Sequence, residues 1–405
     1  MSQINSCSRT KNLFPSILIL ALFSHIFIYY YNVLTGMYPK VIWLVCVALV
    51  AMIVGYLFGI RWRIVLNDRA LPKQDREYNP KTLREIGILF YCIGIGAHIL
   101  YYSTHSITSY ADSYTAGQGS GYITVFFNFW ILGMVLIEYL SYIGENSTFV
   151  KWGNRFSIFF YCFLYFVVFM KRRQIILLLL SVIAIWTFRI TRGRKLLYYL
   201  MGIVGIIVFT VFGKVRGYID VFGFDNLWAY ICENFTWDWL SLGELEGKYI
   251  SRTLNDVYAY VQNYGNDPSI LLGIVFCMVP GSLLGGNKPL AFPDWYTQHF
   301  YPADFARGTG YAGSMIGELY LIGGVVVVIV GYLFLGYLCA RIQKRGMQQQ
   351  DIQGRLVYSI FIYSILLMPR YDLASLLIDM TFFYFPLVIA LKCSQTRESK
   401  GRVVC

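Results

Sequence analysis

Charge is scarce in this chain. Only 14% of its 405 residues are Asp, Glu, Lys or Arg, against about 25% in a soluble domain, so a water-soluble globule is excluded. There are four histidines, none beside a carboxylate cluster, and no DxD, so no metal site is expected. Nine cysteines include no CxxC. Cys46, Cys92, Cys162 and Cys339 lie within apolar runs, which suits small apolar residues better than a disulfide framework or a zinc site. Gly308-Thr309-Gly310-Tyr311-Ala312-Gly313 matches GxGxxG. No strand precedes it, so the context of a dinucleotide site is missing, and no cofactor is expected. Internal repeats, low-complexity tracts and a separate soluble domain are also lacking.

What is present is apolar: 57% of the chain is hydrophobic and 18% aromatic. The runs are continuous rather than alternating, which excludes a transmembrane barrel. A helical span needs about 20 apolar residues. Candidate spans are 13–33, 41–60, 86–103, 122–143, 153–170, 175–190, 196–213, 312–340, 356–369 and 373–391. The expected fold is an all-α polytopic membrane protein of about 10 transmembrane helices, a single integral domain over 1–405. The first run is too long for a signal-peptide core and lacks a cleavage site, so it reads as a retained helix.

With both termini in the cytoplasm, most of the 34 Lys and Arg residues fall on the inner side and the acids run the other way. The net charge of +12 then faces anionic lipid rather than nucleic acid. The stretch 214–311 becomes a large outer region. Within it, Ile270 to Pro280 is apolar but spans only about 17 Å as a helix, so a re-entrant or interfacial segment is expected. Ile250, Leu254, Val257, Tyr258 and Val261 keep helical spacing. They suit an amphipathic helix lying on the outer membrane surface or covering a soluble cap. The polar loop 104–121 is a second, smaller outer loop.

A few cations defy the inside bias. Arg172 and Arg173, in Lys171-Arg172-Arg173-Gln174, link two spans on the outer side, where paired guanidinium forks match phosphate oxygens. Lys214-Val215-Arg216-Gly217 closes the seventh span. Arg370 follows a span of about 22 Å, short of a core of about 30 Å; it is placed below the outer surface or at the base of a wet cavity. Asp372 and Asp379 are its candidate partners. Glu318, counted back along a straight helix from Arg341, falls about 35 Å away, near the outer boundary. Ser314 would share its face. A carboxylate there is a candidate general base or a counter-ion. Lys288 and Arg307 flank an aromatic stretch with Trp295, Tyr296, His299, Phe300 and Tyr301, which suits sugar rings or an interfacial belt.

Taken in order, the KRRQ link, the GKVRG exit, the block from Val279 to Gly324 and the late "MPRYDL" resemble the bacterial oligosaccharide repeat-unit polymerases, the O-antigen polymerase (Wzy-type) group. The resemblance is sharpest from Val279 to Gly324. It implies a membrane glycosyltransferase with a GT-C-like arrangement at the outer face of the bacterial inner membrane. Its substrates would be oligosaccharides on undecaprenyl pyrophosphate, with no nucleotide-sugar donor. A chain-length regulator and a flippase are implied partners beside membrane lipids. Carried onto this chain, the candidates are Arg172, Arg173, Arg216, Glu318 and Arg370: Glu318, Arg370 and Arg216 as catalytic residues, and Arg172, Arg173, Arg216 and Arg370 as pyrophosphate-binding residues, to which Lys288 and Arg307 are added from their place in the outer stretch. The arginine-x10-glycine spacing of the group does not occur at Arg216 or Arg307, since Leu227 and Glu318 stand eleven later. A ligase of the same superfamily is an alternative. So is a lipid-linked oligosaccharide flippase, for which Glu138 inside the fourth span is the one suggestive residue.

Overall fold

The computed structural model describes residues 17–35, 38–61, 78–105, 121–169, 172–187, 211, 215, 218–219, 222, 225–240, 247–285, 287–306, 308, 310–346 and 352–395. Among these no strand forms; the one β-bridge joins Tyr78 and Gln395. The helices are α1 (Ile17–Thr35), α2 (Ile42–Arg61), α3 (Pro80–Thr104), α4 (Phe127–Ile143), α5 (Thr148–Phe163) and α6 (Arg172–Thr187). After helices α7 (Leu227–Asn234), α8 (Lys248–Tyr264), α9 (Ile270–Val275) and α10 (Phe292–Phe300) come α11 (Met315–Gly346), α12 (Ile352–Leu367), α13 (Leu373–Asp379) and α14 (Phe385–Cys393). A π-helical turn, Met380–Tyr384, joins the last two into one rod.

Among the described residues, five segments are long and apolar enough to cross a membrane: Pro39–Arg61, Pro80–Thr104, Ile123–Ile143, Met315–Gly346 and Leu373–Cys393. Ile17–Tyr30 and Arg173–Trp186 are shorter apolar helices. The expected span 196–213 lies almost wholly outside the described residues. Large apolar side chains stay exposed on the outer faces, including Phe149, Phe156, Phe159, Val330 and Phe334. Such continuous apolar exposure suits a bundle immersed in lipid.

Local signals set the helix ends. Asn79 caps α3 by accepting from the Lys81 and Thr82 N–H groups, with Pro80 at the first helical position. Gly144, at φ 88°, takes the left-handed conformation that ends α4.

Glycine sets how closely the helices pack. On α2 and α11, Gly55 lies against the Leu333 carbonyl and Gly336 against the Met52 carbonyl and Tyr56 nitrogen. On α3 and α4, Gly94 faces the Trp130 backbone and Gly133 faces Gly87. In lipid, where apolar burial contributes little, such close backbone contact holds helix pairs together.

Glu138 is buried in α4, but it is not a free intramembrane acid. Its carboxylate accepts from Trp186 Nε1 at 2.8 Å and Asn154 Nδ2 at 3.0 Å, and pairs with Arg155 at 3.5 Å. The Arg155 guanidinium stacks on Trp152 and Trp186. The group therefore ties α4 to α5 and α6. Glu138→Ala would strand two buried donors and a cation, at a cost of about 3–5 kcal/mol. A clear fall in melting temperature of the purified protein is expected; an unchanged melt would contradict this role.

Candidate functional site

α11 is not one straight rod. Gly323 (φ −165°, ψ 33°) and Gly324 (φ 65°, ψ −156°) break it, the second in the left-handed region that favours glycine. Leu319 packs against Gly331. In a continuous helix those residues would stand about 18 Å apart along the axis, so the short arm 315–322 must fold back beside the long arm 325–346. The freed carbonyls find donors in the turn between α8 and α9. Asn266 Nδ2 donates to Tyr320 O at 2.8 Å, and the Asp267 N–H to Leu321 O at 2.8 Å. Broken helices survive at membrane depth only when their backbone is satisfied in this way.

The fold-back corrects the straight-helix reckoning for Glu318. α1 supplies a better ruler. The Ile17 N–H bonds Gln343 Oε1 at 2.9 Å, near the end of α11. Further along, His25 Nε2 meets the Tyr332 hydroxyl at 3.0 Å, Ser24 Oγ donates to Ile365 O at 3.4 Å, and the Tyr29 hydroxyl meets Ser314 Oγ at 3.2 Å. Ser314 thus stands about 18 Å along α1 from its Ile17 end. Glu318 lies one helical turn from Ser314. Ser314 itself precedes the short arm, its hydroxyl accepting from the Gly317 N–H at 3.2 Å, rather than sharing a helical face with Glu318.

Glu318 is fully buried. Its Oε2 accepts from the Leu373 N–H at 2.6 Å, while Oε1 has no hydrogen-bond partner among the described residues. The short arm is thereby tied to the link that carries Arg370, Tyr371 and Asp372. Gly313 packs against the Arg370 carbonyl, the Asp372 side chain and Pro293, which brings the start of α10 to the same place. Asp294 beside it is exposed on one side. Partial burial and Asp372 push its carboxyl above the ordinary range, and Lys288 pulls it back. The Lys288 ammonium donates to Cys277 O at 2.8 Å.

Arg173 enters from α6. Its Nε donates to the Tyr363 hydroxyl at 3.0 Å, and Nη2 to the Tyr371 hydroxyl at 3.2 Å and to both Asp379 oxygens at 3.1 and 2.9 Å. The Tyr371 hydroxyl donates to Asp379 Oδ2 at 2.5 Å. Asp379 therefore partners Arg173. Asp372 caps α13, accepting from the Ser375 N–H and hydroxyl at 2.9 and 2.6 Å. The Arg370 side chain, next to Tyr371 in the link, is exposed.

Arg173, Lys288, Glu318 and Arg370 thus gather where the short arm, α10, α6 and the α12–α13 link meet. Arg216, Arg307 and the Arg172 side chain lie outside the described residues. Tyr363, Tyr371, Asp294 and Asn266 join the cluster without having stood out in the sequence, because tyrosine and asparagine carry no positional signal in an apolar run. The amphipathic helix 248–264 turns Ile250, Leu254 and Val257 into the bundle, with Leu254 beside Gly317.

A lipid-immersed helical bundle with cations and carboxylates gathered at a broken-helix mouth defines an integral membrane protein with a polar site at one end. The chain belongs to the O-antigen polysaccharide polymerase Wzy family, which it matches over residues 9–396. Its activity is accordingly glycosyl transfer that polymerises repeat units. No curated protein and no solved structure matches the chain.

Proposed function

We propose that the chain joins repeat units carried on undecaprenyl pyrophosphate, at the outer face of the bacterial inner membrane. Its termini are cytoplasmic, and about ten helices adopt a GT-C-like arrangement. The observation that carries this reading is the anchoring of the Arg173 guanidinium on Tyr363, Tyr371 and Asp379, next to the link that carries Arg370, in a chain where charge is scarce. The acceptor sugar hydroxyl attacks the anomeric carbon of the growing glycan. The bond to pyrophosphate breaks, the carrier pyrophosphate leaves with the electron pair, and a base takes the hydroxyl proton. The leaving group is already activated, so the protein mainly positions the hydroxyl and stabilises developing negative charge. Arg173, Arg370 and Lys288, with Arg172, Arg216 and Arg307 from the same outer side, supply the cations. A chain-length regulator and a flippase are the partners this role calls for.

Glu318 is the proposed base through Oε1. Its complete burial favours a second reading, in which it only positions the Arg370 link through Leu373. Glu318→Gln separates the two, since the amide oxygen still accepts from the Leu373 N–H. Purified protein is given carrier-linked single repeat units, and product length is read on a gel. A base role predicts a rate lower by about 10²–10⁴ at unchanged melting temperature. A positioning role predicts a nearly normal ladder. If wild-type protein forms no glycosidic bond but moves the lipid across a bilayer, the polymerase proposal fails.

A further inference from the structure

The opposite end of the bundle holds a feature that the polar mouth does not use. A half-open cleft of 380 Å³ runs between α11, α12 and the α13–α14 rod, walled by Leu338, Ile342, Val357, Phe361, Tyr384 and Val388. Its size falls in the range of small-molecule sites, about 300–1,000 Å³. Arg341 and Arg345 border it. They stand four apart on α11, hence on one helical face with about 5–6 Å between Cβ atoms. Among the described residues, no acidic side chain pairs with either. Gln343 between them bonds the Ile17 N–H and the Tyr56 hydroxyl, which places the arginines at the Ile17 end of α1.

Apolar walls at membrane depth with two cations at one rim complement an amphiphile with an anionic head and an alkyl tail. On the orientation proposed above, that end faces the cytoplasmic leaflet, where such amphiphiles are glycerophospholipids. We propose that the cleft binds one anionic phospholipid. The phosphate sits between Arg341 and Arg345, and one acyl chain runs along Leu338, Val357, Phe361 and Val388. The site is separate from the polymerising mouth, so its failure leaves the proposed reaction standing.

The test is native mass spectrometry of the full chain, equilibrated with equal amounts of phosphatidylglycerol and phosphatidylcholine of the same acyl chains. Wild-type protein is expected to retain one phosphatidylglycerol in at least about tenfold preference. Each basic residue near a membrane surface contributes about fivefold, so Arg341→Gln with Arg345→Gln should remove most of it. Those substitutions lie at a helix end, where the core packing is untouched. Val388→Trp, which fills the cleft and keeps both arginines, should lower retention of both lipids. Equal retention of the two lipids by wild type would overturn the proposal. So would undiminished phosphatidylglycerol binding by the double variant, or stronger retention of added undecaprenyl phosphate, which would give the cleft to the carrier.

Discussion

Arg370→Ala is expected to lower the rate of repeat-unit joining by about 10²–10³ while the protein still inserts and accumulates. The side chain is exposed, so the truncation opens no cavity. Its link is also fixed by bonds from neighbouring residues: the Tyr371 N–H donates to Leu367 O at 3.0 Å and Met368 O at 3.2 Å, and Leu373 is held by Glu318. The loss should therefore appear in chemistry rather than stability. Carrier-linked glycans from membranes with equal amounts of wild-type and variant protein would show it as single repeat units in place of polymer. Arg173→Ala should lose activity as well, but it also strips Asp379 of its ion pair. Arg173→Lys restores the charge without the two-pronged geometry that serves Tyr363, Tyr371 and Asp379 together, so only partial recovery is expected. Polymer of normal length from both alanine variants would remove the arginines from the mechanism.

Gly336→Leu should abolish folded protein altogether. A Cβ at that position collides with the Met52 carbonyl and the Tyr56 nitrogen. Both are helix backbone, and neither can rotate aside. Relief requires α2 and α11 to separate, which also opens the contacts at Gly55 and Gly59. The cost should exceed the 1–3 kcal/mol typical of overpacking by flexible side chains and approach a native state's whole margin of about 5–15 kcal/mol. Gly153 is the control: among the described residues nothing lies near the position of its missing Cβ, so Gly153→Ala should be neutral or slightly stabilising. The readout is the monodisperse fraction after detergent extraction. A monodisperse Gly336→Leu protein would show that this crossing is not what holds the bundle.

Apolar runs made most of the helices legible, because burial in lipid demands them and little else competes. They do not encode direction. The run 312–340 reads as one span, yet Gly323 and Gly324 fold its first turns back on the rest. The groups that make this tolerable, Asn266 and the Asp267 N–H, come from more than fifty residues upstream. Partner choice was hidden for a similar reason. Asp379 stands nine residues from Arg370 but bonds Arg173, because α6 and α12 lie side by side, a fact of packing that no local pattern contains. Glu138 read as a transporter-like acid, since its partners Asn154, Arg155 and Trp186 become neighbours only when three helices meet. The gathering of Arg173, Glu318 and Arg370 was foreseeable to the extent that charge is rare enough in such a chain for each exception to carry meaning.

The central claim is that the cation cluster opens on one side of the membrane, opposite Arg341 and Arg345. Single cysteines placed at positions 173, 216, 288 and 370, in a chain cleared of native cysteine, can be labelled with a membrane-impermeant maleimide from the outside of intact cells. All four are predicted to react without permeabilisation, and cysteines at 341 and 345 only after it. If position 370 or 216 reacted only after permeabilisation while 173 reacted before it, the guanidinium groups would face opposite compartments and could not hold one pyrophosphate.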